Sequence, residues 1–161
     1  MHAYSIAYDE FMTLLGNCKT ECEFGLVSNV PNEEALTAYE QVIHLLPQYA
    51  DAYRYKGVSL THLKRYEEAL ATYEQAISLY DTKDWEAIYD CAETYNDKGD
   101  VLQSINRYEE ALAAYEQAIK LNSFPISLYY RNKGRVLELL AQQAYKKAEE
   151  IELEEHEEHP F

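Results

Sequence analysis

The sequence predicts an all-α protein built from repeated pairs of helices. One 14-residue segment occurs three times with small changes: residues 32–45 read NEEALTAYEQVIHL, residues 66–79 read YEEALATYEQAISL and residues 108–121 read YEEALAAYEQAIKL. In each copy apolar residues recur at steps of three and four, which is the spacing of one helix face, and no segment shows the alternation typical of a strand. Such self-similarity indicates stacked repeats, which present an extended surface rather than a catalytic cleft.

The distances between the copies indicate one shared frame. Ala35 and Ala69 are 34 residues apart, whereas Ala69 and Ala111 are 42 apart, which is eight residues more. A second motif, Tyr-x-x-Lys-Gly, occurs three times, at Tyr53–Gly57, Tyr95–Gly99 and Tyr130–Gly134. A glycine inside a helix costs about 1 kcal/mol relative to alanine, so these glycines predict a close approach of another helix.

This pattern resembles the tetratricopeptide repeat (TPR), which has a period of 34 residues. The family opens its repeats with aromatic-x-x-Leu-Gly, and here lysine stands in place of leucine. The resemblance implies a right-handed α-α superhelix (solenoid) of about three and a half to four TPR-like helix-turn-helix repeats with a C-terminal capping helix. It implies a single domain at 1–148, followed by an acidic tail at 149–161. The expected repeats are approximately 3–47, 48–80, 81–124 and 125–148.

The first repeat is the least regular. We expect residues 3–15 to form its first helix and residues 32–46 its second, which Pro47 ends. Residues 17–31 contain Gly25 and Pro31 and read as a loop or a broken helix.

The third repeat carries eight extra residues before Tyr95, which would lengthen its first helix by about 12 Å. Asp81, Thr82 and Asp84 are the candidates for the cap at its start. The extension holds the only tryptophan, Trp85, which is either a contact for a partner or a lid on the neighbouring repeat. A large aromatic side chain is usually buried, which favours the lid.

Two interpretations fit the C-terminal region. Residues 126–140 form the first helix of a last repeat, but Gly134 and Ala148 are 14 residues apart instead of 12, so either a hairpin or one continuous helix follows. Both would cap the stack. Residues 149–158 hold seven glutamates, which oppose the helix macrodipole at its C-terminal end, so we expect this tail to fray.

Composition and motifs exclude several classes of function. A net charge of −15 disfavours nucleic acid and anionic membranes as partners. No stretch is long and apolar enough to span a bilayer, and the three cysteines do not suggest a disulfide framework, so we expect a cytoplasmic protein. The pairs Cys18/Cys22 and His156/His159 offer too few ligands for a metal. The sequence predicts no metal, no cofactor and no enzymatic activity.

The resemblance also implies a ligand groove. In TPR proteins the first helix of each repeat lines the concave face, with inward residues one, five and eight positions after the first aromatic. The groove residues implied here are Arg54, Val58, Thr61, Asn96, Asp100, Gln103, Arg131, Arg135 and Glu138. The family's carboxylate clamp for chaperone C-termini uses Lys, Arg and Asn, but this chain has Val58, Glu93 and Asp97 at several of those places, so the resemblance does not extend to that ligand.

The predicted function is a non-enzymatic protein-protein interaction module that binds a peptide or protein segment in the groove. The alternative is a structural self-association scaffold, a homo-oligomer whose repeats stack end to end or through the Trp85 extension. Arg131 and Arg135 are one helical turn apart and suit a carboxylate of the partner. A second interpretation of this pair is that it balances Glu138 and the acidic residues of the preceding repeat.

Overall fold

The computed structural model describes residues 32–81, 83–121 and 127–158, and within these ranges every regular element is an α-helix. Consecutive helices pack on one another, so that α2 and α3, like α4 and α5, form helix-turn-helix pairs. The all-α prediction is confirmed, whereas the helix predicted at 3–15 lies outside the described residues. The helices are α1 (Asn32–Leu45), α2 (Ala50–His62), α3 (Tyr66–Leu79), α4 (Trp85–Ser104), α5 (Tyr108–Leu121) and α6 (Ser127–Glu158).

The repeated tyrosines and glycines form the contact inside each pair. Tyr73 and Tyr115 are 1% and 0% exposed. A Cβ added at Gly57 would lie 2.5 Å from the Tyr73 ring, and one added at Gly99 would lie 2.5 Å from the Tyr115 ring. No real side chain fits at that distance, so the predicted close approach of the helices at these two glycines is confirmed.

Each pair turns through a left-handed residue at the end of its first helix. Lys64 has φ 60° and Asn106 has φ 62°. The next residue donates its N–H back to a carbonyl of the helix, from Arg65 to Leu60 and from Arg107 to Leu102, both at 2.9 Å. This is the Schellman arrangement, which satisfies the last carbonyls of a helix and stops it.

The last helix does not turn. Lys64 and Asn106 each lie seven residues after the motif glycine, and the corresponding residue in α6 is Ala141. Alanine disfavours the left-handed conformation and is the best helix former, so α6 continues for 32 residues. Of the two interpretations of the C-terminal region, the continuous helix is correct.

The expectation that the acidic tail frays is wrong for residues 149–158, which continue α6 to Glu158. The segment from Ala141 onward is rich in Ala, Gln, Glu and Lys, which have high helix propensity. Lys146 also pairs with Glu150 one turn along, at 3.7 Å. These local terms outweigh the unfavourable macrodipole.

The extension of the third repeat is helical, as predicted. Helix α4 has 20 residues where α2 has 13, and Asp84 caps it by accepting a hydrogen bond from the Glu86 N–H at 3.3 Å. Of the three candidate caps, Asp84 is therefore the one used. Within the described ranges, none of the helices is long and apolar enough to cross a membrane.

Candidate functional site

The first helices of the pairs contact one another in the order α2, α4, α6, with α4 in the middle. The nine residues implied for the groove lie on these three helices at steps of four and three, so each helix contributes one side. We call the surface formed by these nine positions the groove face.

At its α2 end the groove face is closed by charges of the chain itself. Arg54 of α2 donates from Nε to the Asp97 carboxylate of α4 at 3.0 Å and from Nη2 to Glu93 at 3.4 Å. The three side chains are only 15–22% exposed. Tyr129 of α6 donates its hydroxyl hydrogen to Glu93. Arg54 is therefore engaged by two carboxylates of its own chain.

Burial and charge act against each other in this cluster. Burial raises the pKa of Asp97 to about 6, although the neighbouring positive charge of Arg54 lowers it. Burial lowers the pKa of Arg54, but the negative charges around it, among them Asp97 and Glu93, raise the pKa by more than burial lowers it. The guanidinium therefore stays charged. The cluster holds one positive charge between two carboxylates, so it offers no free positive charge that could bind an acidic group of a ligand.

We expect Asp97 to make stability depend on pH between about pH 4 and pH 6. Its folded-state pKa lies above its unfolded value of 3.8, so the folded chain binds the proton more tightly. This contribution is fully present below the unfolded pKa and is lost as the pH rises through about 6. Between pH 3.5 and pH 7.5, the free energy of unfolding of the wild type in urea should fall by roughly 1–3 kcal/mol relative to that of Asp97→Asn. Parallel curves for the two proteins would contradict the assigned burial of Asp97.

In the middle of the groove face, two asparagine side chains join α4 to α6. Asn132 of α6 donates to Asn96 of α4 at 3.0 Å and to Asp100 at 3.3 Å, and both asparagines are buried. On α2, Val58 packs against the hydrophobic core and Thr61 donates to the Gly57 carbonyl at 2.9 Å. Of the predicted groove residues, Asn96, Asp100 and Val58 thus help to hold the helices together, whereas this Thr61 bond stays within α2.

The groove face is open only at its α4–α6 end, as far as the described residues show. An open cavity of about 360 Å³ lies there, lined by four of the predicted residues: Asp100, Gln103, Arg131 and Arg135. Three further lining residues were missed: Ser104, Leu128 and Asn132. The sequence could have indicated two of them. Leu128 and Asn132 lie three residues before and one residue after Arg131, on the same side of α6.

Both arginines of this cavity are exposed. In the described part of the chain, no carboxylate lies within ion-pair distance of either guanidinium. Asp100 accepts instead from the Tyr115 hydroxyl at 2.6 Å. Burial raises the pKa of Asp100, while the Tyr115 hydrogen bond and the positive charge of Arg135 act in the opposite direction. Glu138 is exposed and forms no ion pair with either arginine, but the charge of Arg135 acts on Asp100, an acidic residue of the preceding repeat. Both interpretations of the arginine pair therefore stay predictions.

The lid interpretation of Trp85 is wrong, because its side chain is 78% exposed. Ala92 lies two turns after Trp85 on the same side of α4 and is 0% exposed, whereas Tyr89, one turn after Trp85, is still 47% exposed. The buried residues of α4 begin only at Cys91, so Trp85 stands at the start of the helix, before the part that is packed. A role of Trp85 as a partner contact stays a prediction.

The described residues offer little for chemistry. They contain no group of three or more His, Cys, Asp or Glu that could hold a metal ion. Burial raises the pKa of Cys91 to about 11, which keeps this thiol protonated and unreactive. Cys18, Cys22 and the side chains of His156 and His159 lie outside the described part. The cavity of the groove face presents two guanidinium groups beside the Asp100 carboxylate, an amide and a leucine.

Comparison with known proteins agrees with the geometry. Two family models, both described as tetratricopeptide repeat, match residues 48–123 and residues 96–161. The fold is similar to the first TPR domain of human RPAP3, with a TM-score of 0.67 and 16% identity over 84% of this chain and 95% of that one. No curated protein sequence was found to match the chain.

Two further solved structures are similar. MamA has a TM-score of 0.65 and 23% identity over 97% of this chain and 86% of its own. The first TPR of Spaghetti (RPAP3), bound to the HSP90 peptide SRMEEVD, has a TM-score of 0.65 and 16% identity over 83% and 94%. At these identities the likeness establishes the shared fold and not a shared ligand.

Proposed function

Because the chain belongs to the tetratricopeptide repeat family, we propose that it is a non-enzymatic interaction module that binds a protein or peptide segment on the groove face. The observation that carries this proposal is the cavity between α4 and α6, where two exposed guanidinium groups have no direct carboxylate partner among the described residues. The structural relative that holds the HSP90 peptide supports the proposal, since it is a TPR with a bound peptide.

The chemistry of the cavity selects an acidic group of the partner. Arg131 and Arg135 are one turn apart on α6 and present their donors to the same cavity. A guanidinium binds a carboxylate through two parallel hydrogen bonds, which gives both energy and orientation. Leu128 supplies an apolar wall and Gln103 an amide. We expect an acidic side chain or a C-terminal carboxylate of the partner segment to lie here.

The α2 end of the groove face restricts where that group binds. Arg54 is already shared between Glu93 and Asp97, and these two carboxylates would repel an acidic ligand. The chain also carries a net charge of −15, so an acidic partner is not attracted at long range. The contact must therefore be local and confined to the α6 side.

We expect Arg135→Glu to weaken binding by about 10-fold or more, or about 1.4 kcal/mol, without a change in melting temperature. The partner is first isolated by a pull-down from the native host with the full chain. Its affinity is then measured by fluorescence anisotropy with a labelled segment of that partner.

Lys146→Glu is the matched control, because it makes the same charge change on the same helix at a side chain that is 77% exposed and outside the cavity. It should leave the affinity nearly unchanged. Equal losses in both variants would point to the overall charge instead of the cavity, and unchanged affinity in Arg135→Glu would remove the cavity as the site.

Self-association is the second candidate function. It is favoured by a separate observation, the exposed side of α6 that carries Leu137 and lies away from Arg135.

A further inference from the structure

Among the described residues, no helix covers the side of α6 that corresponds to the covered side of α2 and α4. Gly57 and Gly99 each contact a tyrosine of the following helix, but no described atom lies within 4 Å of a Cβ added at Gly134. The leucines three residues after the glycines show the same difference. Leu60 and Leu102 are each 1% exposed, whereas Leu137 is 46% exposed.

The uncovered side continues along α6 as a regular row of small and apolar residues. We call this row the α6 seam, and it consists of Gly134, Leu137, Ala141, Ala144, Ala148 and Ile151. The three alanines are exposed, and Ile151 is 46% exposed. The residues alternate at steps of three and four, which is the pattern of a helix that pairs with another helix along its length. The seam covers 18 residues, or about 27 Å.

The α6 seam is complementary to itself when two copies run in opposite directions. With a two-fold axis between Gln142 and Gln143, Leu137 of one copy faces Ala148 of the other. Gly134 then faces Ile151 and Ala141 faces Ala144, so each facing pair contains at least one small residue. Small residues of this kind allow two helices to approach closely without a void, and a two-fold arrangement uses the same surface on both copies.

The charges beside the seam select the same orientation. The N-terminal half of α6 carries Arg131, Lys133 and Arg135, whereas the C-terminal half is acidic, with glutamates at positions 149, 150, 152 and 154. Antiparallel pairing places the basic half of one copy against the acidic half of the other. Parallel pairing would place acidic against acidic, which is unfavourable. At the edges of the antiparallel pair, Arg131, which also lines the groove cavity, comes opposite Glu152. Lys133, which pairs with Glu116 of its own chain at 2.9 Å, comes opposite Glu154.

From this shape and charge complementarity we propose that two copies of the chain associate through the α6 seam in antiparallel orientation. Each copy supplies the helix that the other lacks over Gly134 and Leu137. The proposal does not depend on a ligand of the groove face, because Leu137 lies about 160° around α6 from Arg135.

The first test is the mass of the full chain by sedimentation equilibrium over a range of concentrations. We expect the wild-type chain to form dimers, and Leu137→Glu to weaken dimerisation at least about 10-fold because it places a carboxylate in the seam. Gln142→Glu is the control, since it adds the same charge on the same helix at an exposed residue outside the seam, and it should still dimerise. A monomeric wild type, or dimers that survive Leu137→Glu, would overturn the proposal. A monomer that Leu137→Glu destabilises would also overturn it, because the seam would then be covered by the chain itself.

The second test determines the orientation and does not rely on a destabilising change. The variants Leu137→Cys and Ala148→Cys are made in a background with Cys18→Ser and Cys22→Ser. Each variant is oxidised alone, and a mixture of the two is oxidised in parallel. Antiparallel pairing predicts a disulfide in the mixture only, because in either variant alone the two cysteines are about 16 Å apart along the helices. Disulfides in each variant alone, without an increase in the mixture, would indicate parallel pairing and contradict the proposal.

Discussion

Replacement of Gly57 or Gly99 with leucine is expected to destabilise the protein by at least about 3 kcal/mol, the upper end of the usual cost of overpacking. At both positions even a Cβ would lie 2.5 Å from the ring of a buried tyrosine. The ring cannot move aside easily, because Tyr73 and Tyr115 are almost fully enclosed. A loss of this size is a large fraction of the stability of an ordinary domain. Urea and thermal unfolding followed by far-ultraviolet circular dichroism measure it directly.

Two variants control for the change of residue type. Gly134→Ala places a methyl group where no described atom is near, so the gain in helix propensity should dominate and stabilise the monomer by up to about 1 kcal/mol. Glu67→Leu adds the same apolar side chain at an exposed residue of α3 and should change stability little. If Gly57→Leu and Glu67→Leu unfold at the same temperature, the helix contact inside the pair is not as described.

Removal of the Arg54 charge is expected to cost about 3–5 kcal/mol in the variant Arg54→Met, which keeps most of the side-chain volume. The cost arises because Asp97 and Glu93 lose their shared cation and stay partly buried beside each other. Removing one member of a buried ion pair costs more than the pair itself contributes, because the remaining charge has no water to solvate it. Equilibrium unfolding at pH 7.5 gives the difference.

The same variant should recover part of its stability at low pH. Burial raises the pKa of Asp97 to about 6, so protonation neutralises this carboxylate and the penalty of the unpaired charges falls as the pH is lowered below that value, to about 4. Arg65→Met is the control, because Arg65 forms an exposed pair with Glu68 on the surface and its loss should hardly move the melting temperature. A loss in Arg54→Met that is equally large at both pH values would point to lost packing instead of unpaired charge.

The division of the groove face follows from these contacts. The Arg54 cluster joins α2 to α4, and the asparagine pair joins α4 to α6. Among the described residues, a cavity remains at the α4–α6 end. The groove face therefore acts as an interhelical joint at one end and offers a cavity at the other.

Much of the fold could be predicted because its determinants are local. Apolar residues at steps of three and four mark the faces of α3 and α5, and Gly57 and Gly99 mark where a tyrosine of the next helix packs. The same prediction is wrong for Gly134, where no described atom lies within 4 Å of an added Cβ. Asp84 was among the predicted caps because a helix start needs an acceptor within two or three residues. The nine groove positions were implied by the resemblance to the TPR family, and four of them line one cavity.

The rest depends on which groups meet across helices. Nothing in the local sequence shows that Arg54 finds Glu93 and Asp97, which are about 40 residues away and become neighbours only when α2 packs on α4. Trp85 was assigned to the interior from its size, but it lies in the first turn of α4, and the buried part of that helix begins only at Cys91.

The sequence by itself determined the helical repeat, its frame and the residues that hold each pair together, because periodicity and glycine spacing act within one or two helices. Only the tertiary structure decided which polar groups are consumed by the fold and which remain exposed, because burial and pairing depend on neighbours from other helices. The course of α6 lies between the two. Ala141 disfavours a turn locally, but the exposed side that results is visible only against the covered glycines of α2 and α4.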